Sequence, residues 1–273
     1  MTVKIAMCQT LVEYGKPDEN LMRGYEMLKS AAQQGAQIAI LPECFDLGWA
    51  NPDAVELAQT IPGQRSELLC KWAKELSLYV CAGLTEREGD KLYNTAVLID
   101  VKGTLLGIHR KINSLTDVEG LYEVGDRLQG YHTPLGVLAM DICADNSGGS
   151  TVIAEAMCRM GAQVILSPCA WAVPPMCQRA YYGAEWYAPY GKLAKLYGVP
   201  TIGVSYVGKV TAGAWKDWLC IGSSIALFGD GDSGVTLPYG EDAVCLRVID
   251  VPLRKDDKRG TALSEAVAQR AKA

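Results

Sequence analysis

Three polar side chains follow short apolar runs, at places where a strand would end and a loop begin. They are Glu43, Lys111 and Cys143. The runs before them cover residues 38–41, 105–108 and 137–142. Each residue alone has an ordinary explanation, since carboxylates and lysines at strand ends are usually solvated and most cysteines are small buried hydrophobes. Together they predict a functional site, because binding and catalytic side chains concentrate where strands open into loops.

The chemistry available to this trio is nucleophilic attack by a thiol. A thiol needs a base to become a thiolate, and Glu43 could accept the proton of Cys143 and later deliver it to a leaving amine. Lys111 and the backbone N–H of Ala144 could hold the oxyanion of a tetrahedral intermediate. The chain has only two histidines, which argues against an enzyme built on a cysteine–histidine pair.

Composition and charge narrow the class of protein. The 273 residues are 49% hydrophobic and 21% charged, with a net charge of −5, so we expect a globular protein without a nucleic-acid partner. No apolar run is long enough to cross a bilayer and no signal segment is recognisable, which predicts a cytoplasmic protein without a membrane partner. The ten cysteines include no C-x-x-C pair, which predicts reduced thiols, with no disulfide framework and no metal site.

The sequence contains a weak internal repeat. Residues 35–42 (GAQIAILP) are echoed by residues 161–168 (GAQVILSP), and each segment follows an amphipathic stretch with helical spacing. Each is predicted to become a buried strand stopped by its proline, which cannot donate to a sheet ladder. A hairpin is predicted over 94–109, and a strand pair over 221–229 and 235–249. Helices that flank strands in two related halves predict one α/β domain of layered sheets with the helices outside.

Three motifs, met in order along the chain, resemble the signatures of the nitrilase superfamily of carbon–nitrogen hydrolases. They are Leu41-Pro42-Glu43, His109-Arg110-Lys111 and Gly136-x6-Cys143-x-Asp145. The resemblance implies a four-layer α-β-β-α sandwich whose pseudo-symmetric halves would account for the repeat. It also implies a Glu43–Lys111–Cys143 triad, and association into a homodimer or a higher homo-oligomer. The hydrolase domain would cover residues 1–253 and leave a C-terminal tail over 254–273.

Members of this superfamily often use a second glutamate shortly after the lysine, and two candidates stand here. Glu119 falls at the matching place, although its gap to the following glycine motif is one residue shorter than usual. Glu123 is the competing candidate. We prefer Glu119, which would orient the substrate or assist Lys111.

The stretch after Cys143 departs from the family pattern. Many members carry an aromatic residue followed by Asp-x-Arg-Phe/Tyr-Pro-Glu, whereas this chain reads ADNSGGS over residues 144–150. Because this stretch lines the acyl pocket in relatives, the substrate cannot be carried over from them, and the small Ala144 predicts a roomier site. The candidates for the pocket wall are Asn146, Cys169 and Trp171. A further candidate, Arg179, could grip a substrate carboxylate.

The sequence therefore predicts a cofactor-free amidase that hydrolyses a small non-peptide carboxamide through a cysteine thioester. The same triad serves N-carbamoyl hydrolysis and nitrile hydrolysis, so the substrate could be an amide, a carbamoyl compound or a nitrile. Acyl transfer from the thioester is another alternative. A non-catalytic binding or assembly module is the alternative from a different class.

Overall fold

Two six-stranded mixed sheets form the centre of the molecule, seen in a computed structural model that describes residues 1–176, 184–256, 259–261, 263, 267, 269 and 270. Strands are numbered in chain order. The first sheet contains β1 (Thr2–Gln9), β2 (Ile38–Leu41), β3 (Tyr79–Glu88), β4 (Lys91–Ile99), β5 (Leu105–Arg110) and β15 (Cys245–Pro252). Its strand order is β15-β1-β2-β3-β4-β5.

The second sheet contains β6 (Gly130–Thr133), β7 (Gly136–Met140), β8 (Val164–Cys169), β10 (Thr201–Ser205), β13 (Ile225–Phe228) and β14 (Ser233–Thr236). Its strand order is β14-β13-β10-β8-β7-β6. A small third sheet, ordered β11-β12-β9, consists of β9 (Ala172–Val173), β11 (Val207–Lys209) and β12 (Leu219–Ile221). The helices are α1 (Pro17–Gln33), α2 (Ala54–Leu57), α3 (Gln64–Leu76), α4 (Val152–Arg159) and α5 (Ala184–Tyr197).

Successive side chains of a strand point to opposite faces of its sheet, and in the two large sheets both faces carry apolar side chains. In β1, Ile5 and Met7 belong to the core between the two sheets, while Ala6 and Cys8 belong to the core beneath α1 and α3. On the second sheet, Ile165 of β8 packs in a core with α4 and α5. The layers therefore run helix, sheet, sheet, helix. This confirms the predicted four-layer α-β-β-α sandwich.

The two large sheets are built alike, strand for strand. Read from β15 in the first sheet and from β6 in the second, the pairings run antiparallel, parallel, parallel, antiparallel, antiparallel in both. Strand β2 of the first half thus corresponds to β8 of the second, the two segments that carry the sequence repeat. The predicted pseudo-symmetry of the halves is confirmed.

Two predicted details of the strands are wrong. Pro42 follows β2 as expected, but Pro168 lies inside β8, where it stands opposite Val204 of β10. The predicted strand over 235–249 is two strands, because β14 pairs with β13 whereas β15 crosses to pair with β1 in the other sheet.

Much of the predicted tail 254–273 lies outside the described residues. Among the helices that are described, none is long and apolar enough to span a membrane.

Candidate active site

The ends of β2, β5 and β7 bring the three predicted residues to one place. Glu43 follows β2 and Lys111 follows β5, and the Lys111 ammonium lies 2.8 Å from the Oε1 atom of Glu43. Cys143 begins a single 3-10 turn over Cys143–Asn146 shortly after β7. All three side chains are buried, with at most 5% of any residue's surface exposed. Glu119 joins them, since its Oε1 atom also lies 2.8 Å from the Lys111 ammonium.

A glycine in the neighbouring strand allows Glu43 to take this position. Gly83 of β3 donates its N–H to the Pro42 carbonyl at 3.0 Å and accepts from the Phe45 N–H at 3.0 Å. A Cβ atom on Gly83 would lie 2.5 Å from the Glu43 Cα atom. Only glycine permits this close backbone approach, which is a common reason for glycine inside a strand. Across the sandwich, the Glu43 N–H donates to the carbonyl of Cys169 at 3.3 Å.

Glu119 is held by a dense set of donors. Besides Lys111, its Oε1 atom accepts from the Trp49 indole at 2.6 Å and from the Asn94 amide at 3.2 Å. Its Oε2 atom accepts from the backbone N–H of Leu115 at 2.8 Å. The competing candidate, Glu123, has an exposed side chain. The geometry therefore places Glu119, and not Glu123, beside Lys111.

The charges of this buried cluster do not balance when both carboxylates are ionised. Burial raises the pKa of Glu43 above its usual value, the Lys111 ammonium partly opposes this, and the charge of Glu119 adds to it. Burial acts to lower the pKa of Lys111, but Glu119 and Glu43 raise it well above its usual value, so the ammonium stays charged. Among the described residues, the Glu43 Oε2 atom has no hydrogen-bond donor. This oxygen is the one that remains available to take a proton.

Cys143 has an unusual backbone and a neutral thiol. Its φ is +46°, in the left-handed region that non-glycine residues rarely adopt and that recurs at functional sites. Burial, a hydrogen bond with Cys169 and the charge on Glu43 raise the pKa of the Cys143 thiol well above its usual value, with Lys111 opposing them. The thiol therefore needs a base before it can act as a nucleophile.

Asp145 ties the Cys143 turn to the Lys111 loop. One carboxylate oxygen accepts the backbone N–H groups of Ile112 and Asn113 at 2.9 and 2.7 Å, and the other lies 2.7 Å from the His109 ring. Burial acts to raise the pKa of Asp145, but His109 and the backbone donors bring it below its usual value. The sequence motif contains Asp145, yet its spacing gives no sign of this clamp, which joins loops more than thirty residues apart.

A cavity of about 530 Å³ opens onto Cys143, and its walls are dominated by indole rings. Five of the six tryptophans of the chain line it. They are Trp49, Trp171, Trp186, Trp215 and Trp218. Of these, only Trp171 was predicted as a wall residue. No local pattern distinguishes the other four from core tryptophans, because the cavity brings together Trp49, Trp186 of α5 and the pair Trp215 and Trp218 from separate parts of the chain.

The other predicted wall residues have different positions. Ala144 lines the cavity, whereas Asn146 and Cys169 are fully buried and are not among its lining residues. Besides its hydrogen bond with Cys143, the Cys169 thiol contacts Tyr190, at 3.6 Å from the hydroxyl. Arg179 lies outside the described residues. Within the part of the chain that the structure describes, no group of three or more His, Cys, Asp or Glu side chains is placed to hold a metal ion.

Known proteins resemble this chain in both sequence and fold. It is 36% identical over 175 residues to an omega-amidase (NIT2-A) from Xenopus laevis, covering 60% of this chain and 62% of the relative. An omega-amidase (NIT2) from Homo sapiens is 32% identical over a similar stretch. The match thus spans about three fifths of the length of these relatives.

Solved structures share the fold at lower identity. An amidase from Nesterenkonia sp. AN1 superposes with a TM-score of 0.77 at 21% identity, covering 92% of this chain and 93% of that one. The Nit3 protein of Saccharomyces cerevisiae, a member of the nitrilase superfamily, gives a TM-score of 0.77 at 17% identity over 98% of this chain and 94% of its own. The family model for carbon–nitrogen hydrolases matches residues 4–253. This chain therefore belongs to the carbon–nitrogen hydrolase family, as its three motifs predicted.

Proposed function

We propose that this protein is an amidase that hydrolyses small non-peptide carboxamides, with Cys143 as nucleophile, Glu43 as base and Lys111 as oxyanion stabiliser. One observation carries the proposal: the Glu43–Lys111–Glu119 cluster lies buried beside a neutral Cys143 thiol at the edge of an accessible cavity. The relatives named omega-amidase and the amidase that shares the fold support the same reaction class.

Acylation involves two proton transfers, the first from Cys143 to Glu43 and the second from Glu43 to the leaving group. The Cys143 thiol gives its proton to Glu43 Oε2 as its sulfur bonds to the amide carbon, and the carbonyl electron pair moves onto oxygen. Lys111 and the Ala144 N–H hold the resulting oxyanion, in a buried site where such interactions are strong. When the carbonyl re-forms, the carbon–nitrogen bond breaks and Glu43 returns the proton to the leaving ammonia or amine.

Deacylation repeats these steps with water as the nucleophile. Glu43 takes a proton from water as the oxygen attacks the thioester carbon, and the same two donors hold the second oxyanion. Collapse releases the carboxylic acid and the Cys143 sulfur, which recovers its proton from Glu43. No redox step is involved, so atoms and electrons balance over the cycle.

Glu119 is a positioning residue in this scheme. It shares the Lys111 ammonium with Glu43, while Trp49, Asn94 and Leu115 fix its carboxylate. The ammonium is thereby kept charged and held in place between two fixed oxygens. Asn146, Cys169 and Trp171 are proposed to shape the substrate site, with Cys169 and Asn146 behind the wall and Trp171 on it.

The proposal is tested by ammonia release from a panel of primary amides. We expect the Cys143→Ala variant to lose activity by at least about a thousandfold, as removal of a nucleophile does in other hydrolases. Cys158→Ala is the matched control, because Cys158 is a buried thiol on α4, and it should keep its activity. Full activity in Cys143→Ala would contradict the assignment of the nucleophile.

Product analysis separates amide hydrolysis from two related reactions, and a labelling experiment tests a non-catalytic role. A relative named nitrilase from Pyrococcus abyssi is 36% identical over 128 residues, or 45% of this chain, which keeps nitrile hydrolysis as a second candidate. Ammonia released together with carbon dioxide would indicate a carbamoyl substrate, and a nitrile converted to its acid would indicate a nitrilase. If iodoacetamide labels Cys143 no faster than the other cysteines, a binding module becomes the better description.

We further propose a reducing compartment such as the cytoplasm and a homo-oligomeric assembly. The nine described cysteines are unpaired, which is usual where cellular thiols stay reduced. Exposed apolar side chains on and beside α4 and α5, including Val152, Met160 and Leu196, form a candidate contact between copies. Light scattering on the purified chain tests this, with a Val152→Glu variant expected to lower the observed mass.

A further inference from the structure

The cavity walls present indole rings in three close contacts. Trp171 and Trp186 stack with ring centroids 4.8 Å apart, and Trp215 and Trp218 stack at 4.0 Å. Trp49 meets the edge of Trp215 at 5.1 Å. Stacked pairs hold each other's planes fixed, so the cavity has flat aromatic walls in a set orientation. Such walls complement a flat aromatic ligand better than a bulky saturated one.

Charge on the described walls is scarce. Glu185 is the one charged side chain among the described lining residues, and it is exposed to solvent. Behind Cys143, the Lys111 ammonium is already shared by the carboxylates of Glu43 and Glu119. A substrate with a carboxylate would therefore meet no opposite charge on the described walls and would lose its hydration there. The described walls disfavour an anionic acyl group.

The loop after Cys143 makes room for a ring. Ala144, Ser147, Gly148 and Gly149 line the cavity with very small side chains. A Cβ atom on Gly148 would be in ordinary van der Waals contact with the Glu185 backbone at 3.6 Å, and one on Gly149 would meet the Ser147 hydroxyl at 3.9 Å, so neither position is crowded. The volume of about 530 Å³ falls in the range of pockets that enclose drug-sized ligands.

The indole N–H groups of Trp171 and Trp186 are closed to a ligand in the cavity. Both Nε1 atoms are buried, without accessible surface and without an acceptor among the described residues. These two side chains therefore offer a ligand ring carbon rather than a hydrogen-bond donor.

From these observations, and resting on the proposed amidase function, we propose that the acyl group of the substrate carries a neutral aromatic ring. The ring would lie against the stacked tryptophans. The scissile amide would then reach Cys143 at the edge of the same cavity.

Kinetics with matched amides test this proposal. Phenylacetamide and cyclohexylacetamide have the same heavy-atom count, but only the first is flat and aromatic, and we expect its kcat/KM to be about tenfold higher. Equal rates for the phenyl and cyclohexyl amides would overturn the proposal. So would a preference for succinamic acid or for betaine amide, which would indicate recognition of a carboxylate or of a cation.

Variants show whether the tryptophans cause the preference. Trp186→Leu and Trp218→Leu keep the walls apolar but remove a stacking face, and each should lower the phenyl-to-cyclohexyl ratio several-fold. Trp72→Leu is the control, because Trp72 packs against Tyr25 away from the cavity and should leave the ratio unchanged. An unchanged ratio in both cavity variants would overturn the proposal. If no amide is consumed and Cys143 is never acylated, the amidase function itself fails, which is a separate result.

Discussion

Asp141 offers a quantitative test of how this fold handles a buried charge. It lies between β7 and Cys143 and is fully buried, and neither carboxylate oxygen has a hydrogen-bond partner among the described residues. Burial raises the pKa of Asp141 to about 7, from an ordinary value of 3.8, against a smaller opposing effect of the neighbouring Ser167 hydroxyl. We predict that Asp141→Asn stabilises the protein at neutral and alkaline pH.

The magnitude follows from proton linkage. A carboxyl whose pKa is raised on folding contributes full stability below its unfolded pKa, and this stability is lost as the pH rises through the folded pKa. A shift of about three pKa units corresponds to roughly 4 kcal/mol between pH 3 and pH 8. Of this, roughly 2.5 kcal/mol is lost between pH 5 and pH 8. Asparagine does not ionise, so the variant avoids this loss.

Urea denaturation of both proteins at pH 5, 6, 7 and 8 measures the effect. The difference in free energy of unfolding between Asp141→Asn and the wild type should grow in favour of the variant as the pH rises. Other titrating groups are common to both proteins and largely cancel. A difference that stays constant over this range would refute the reasoning.

Asp46 provides the matched control. It is also fully buried, but its carboxylate accepts from the Arg65 guanidinium at 2.8 Å and from the Thr85 N–H at 3.0 Å. Asp46→Asn leaves a buried arginine without its counter-charge, so we expect it to destabilise the protein by about 3 kcal/mol. Both substitutions replace an aspartate with asparagine, so changes of opposite sign in the free energy of unfolding would show that the ion pair with Arg65 decides the outcome.

Three further predictions concern the candidate site. Gly83→Ala places a Cβ atom 2.5 Å from the Glu43 Cα and should lower both the melting temperature and kcat/KM. On its acid side, the plot of kcat/KM against pH should fall with an apparent pKa above the usual glutamate range, because burial raises the pKa of Glu43. Glu119→Gln removes a charge that also raises this pKa, so any activity that remains should fall off at a lower pH. Asp145→Asn weakens the clamp on Cys143 and should slow iodoacetamide labelling and amide turnover together, whereas loss of turnover with normal labelling would contradict that role.

Local sequence patterns were sufficient for the elements that carry the cluster. Apolar runs located β2, β5 and β7, and the polar residues after them, Glu43 and Lys111, meet in the structure as expected. The repeat at 35–42 and 161–168 predicted two related halves, because each half buries its strand by the same alternation. These features depend on residues close together in the chain, which is why sequence alone could reach them.

Features that depend on distant contacts were out of reach. Pro168 remains inside β8 because β10 pairs with the residues on both sides of it. The crossing of β15 to the first sheet depends on tertiary packing rather than on its own alternation. The tryptophan walls are assembled from loops more than a hundred residues apart, such as those carrying Trp49 and Trp218, and no periodicity reports such a meeting.

The most direct test of the central claim is intact-protein mass spectrometry of the chain mixed with an amide substrate and quenched in acid. The account predicts a mass increase equal to the acyl group, located on Cys143 by peptide mapping and absent from Cys143→Ala. Turnover of the amide with the acyl group on a different cysteine, or undiminished turnover by Cys143→Ala, would contradict it.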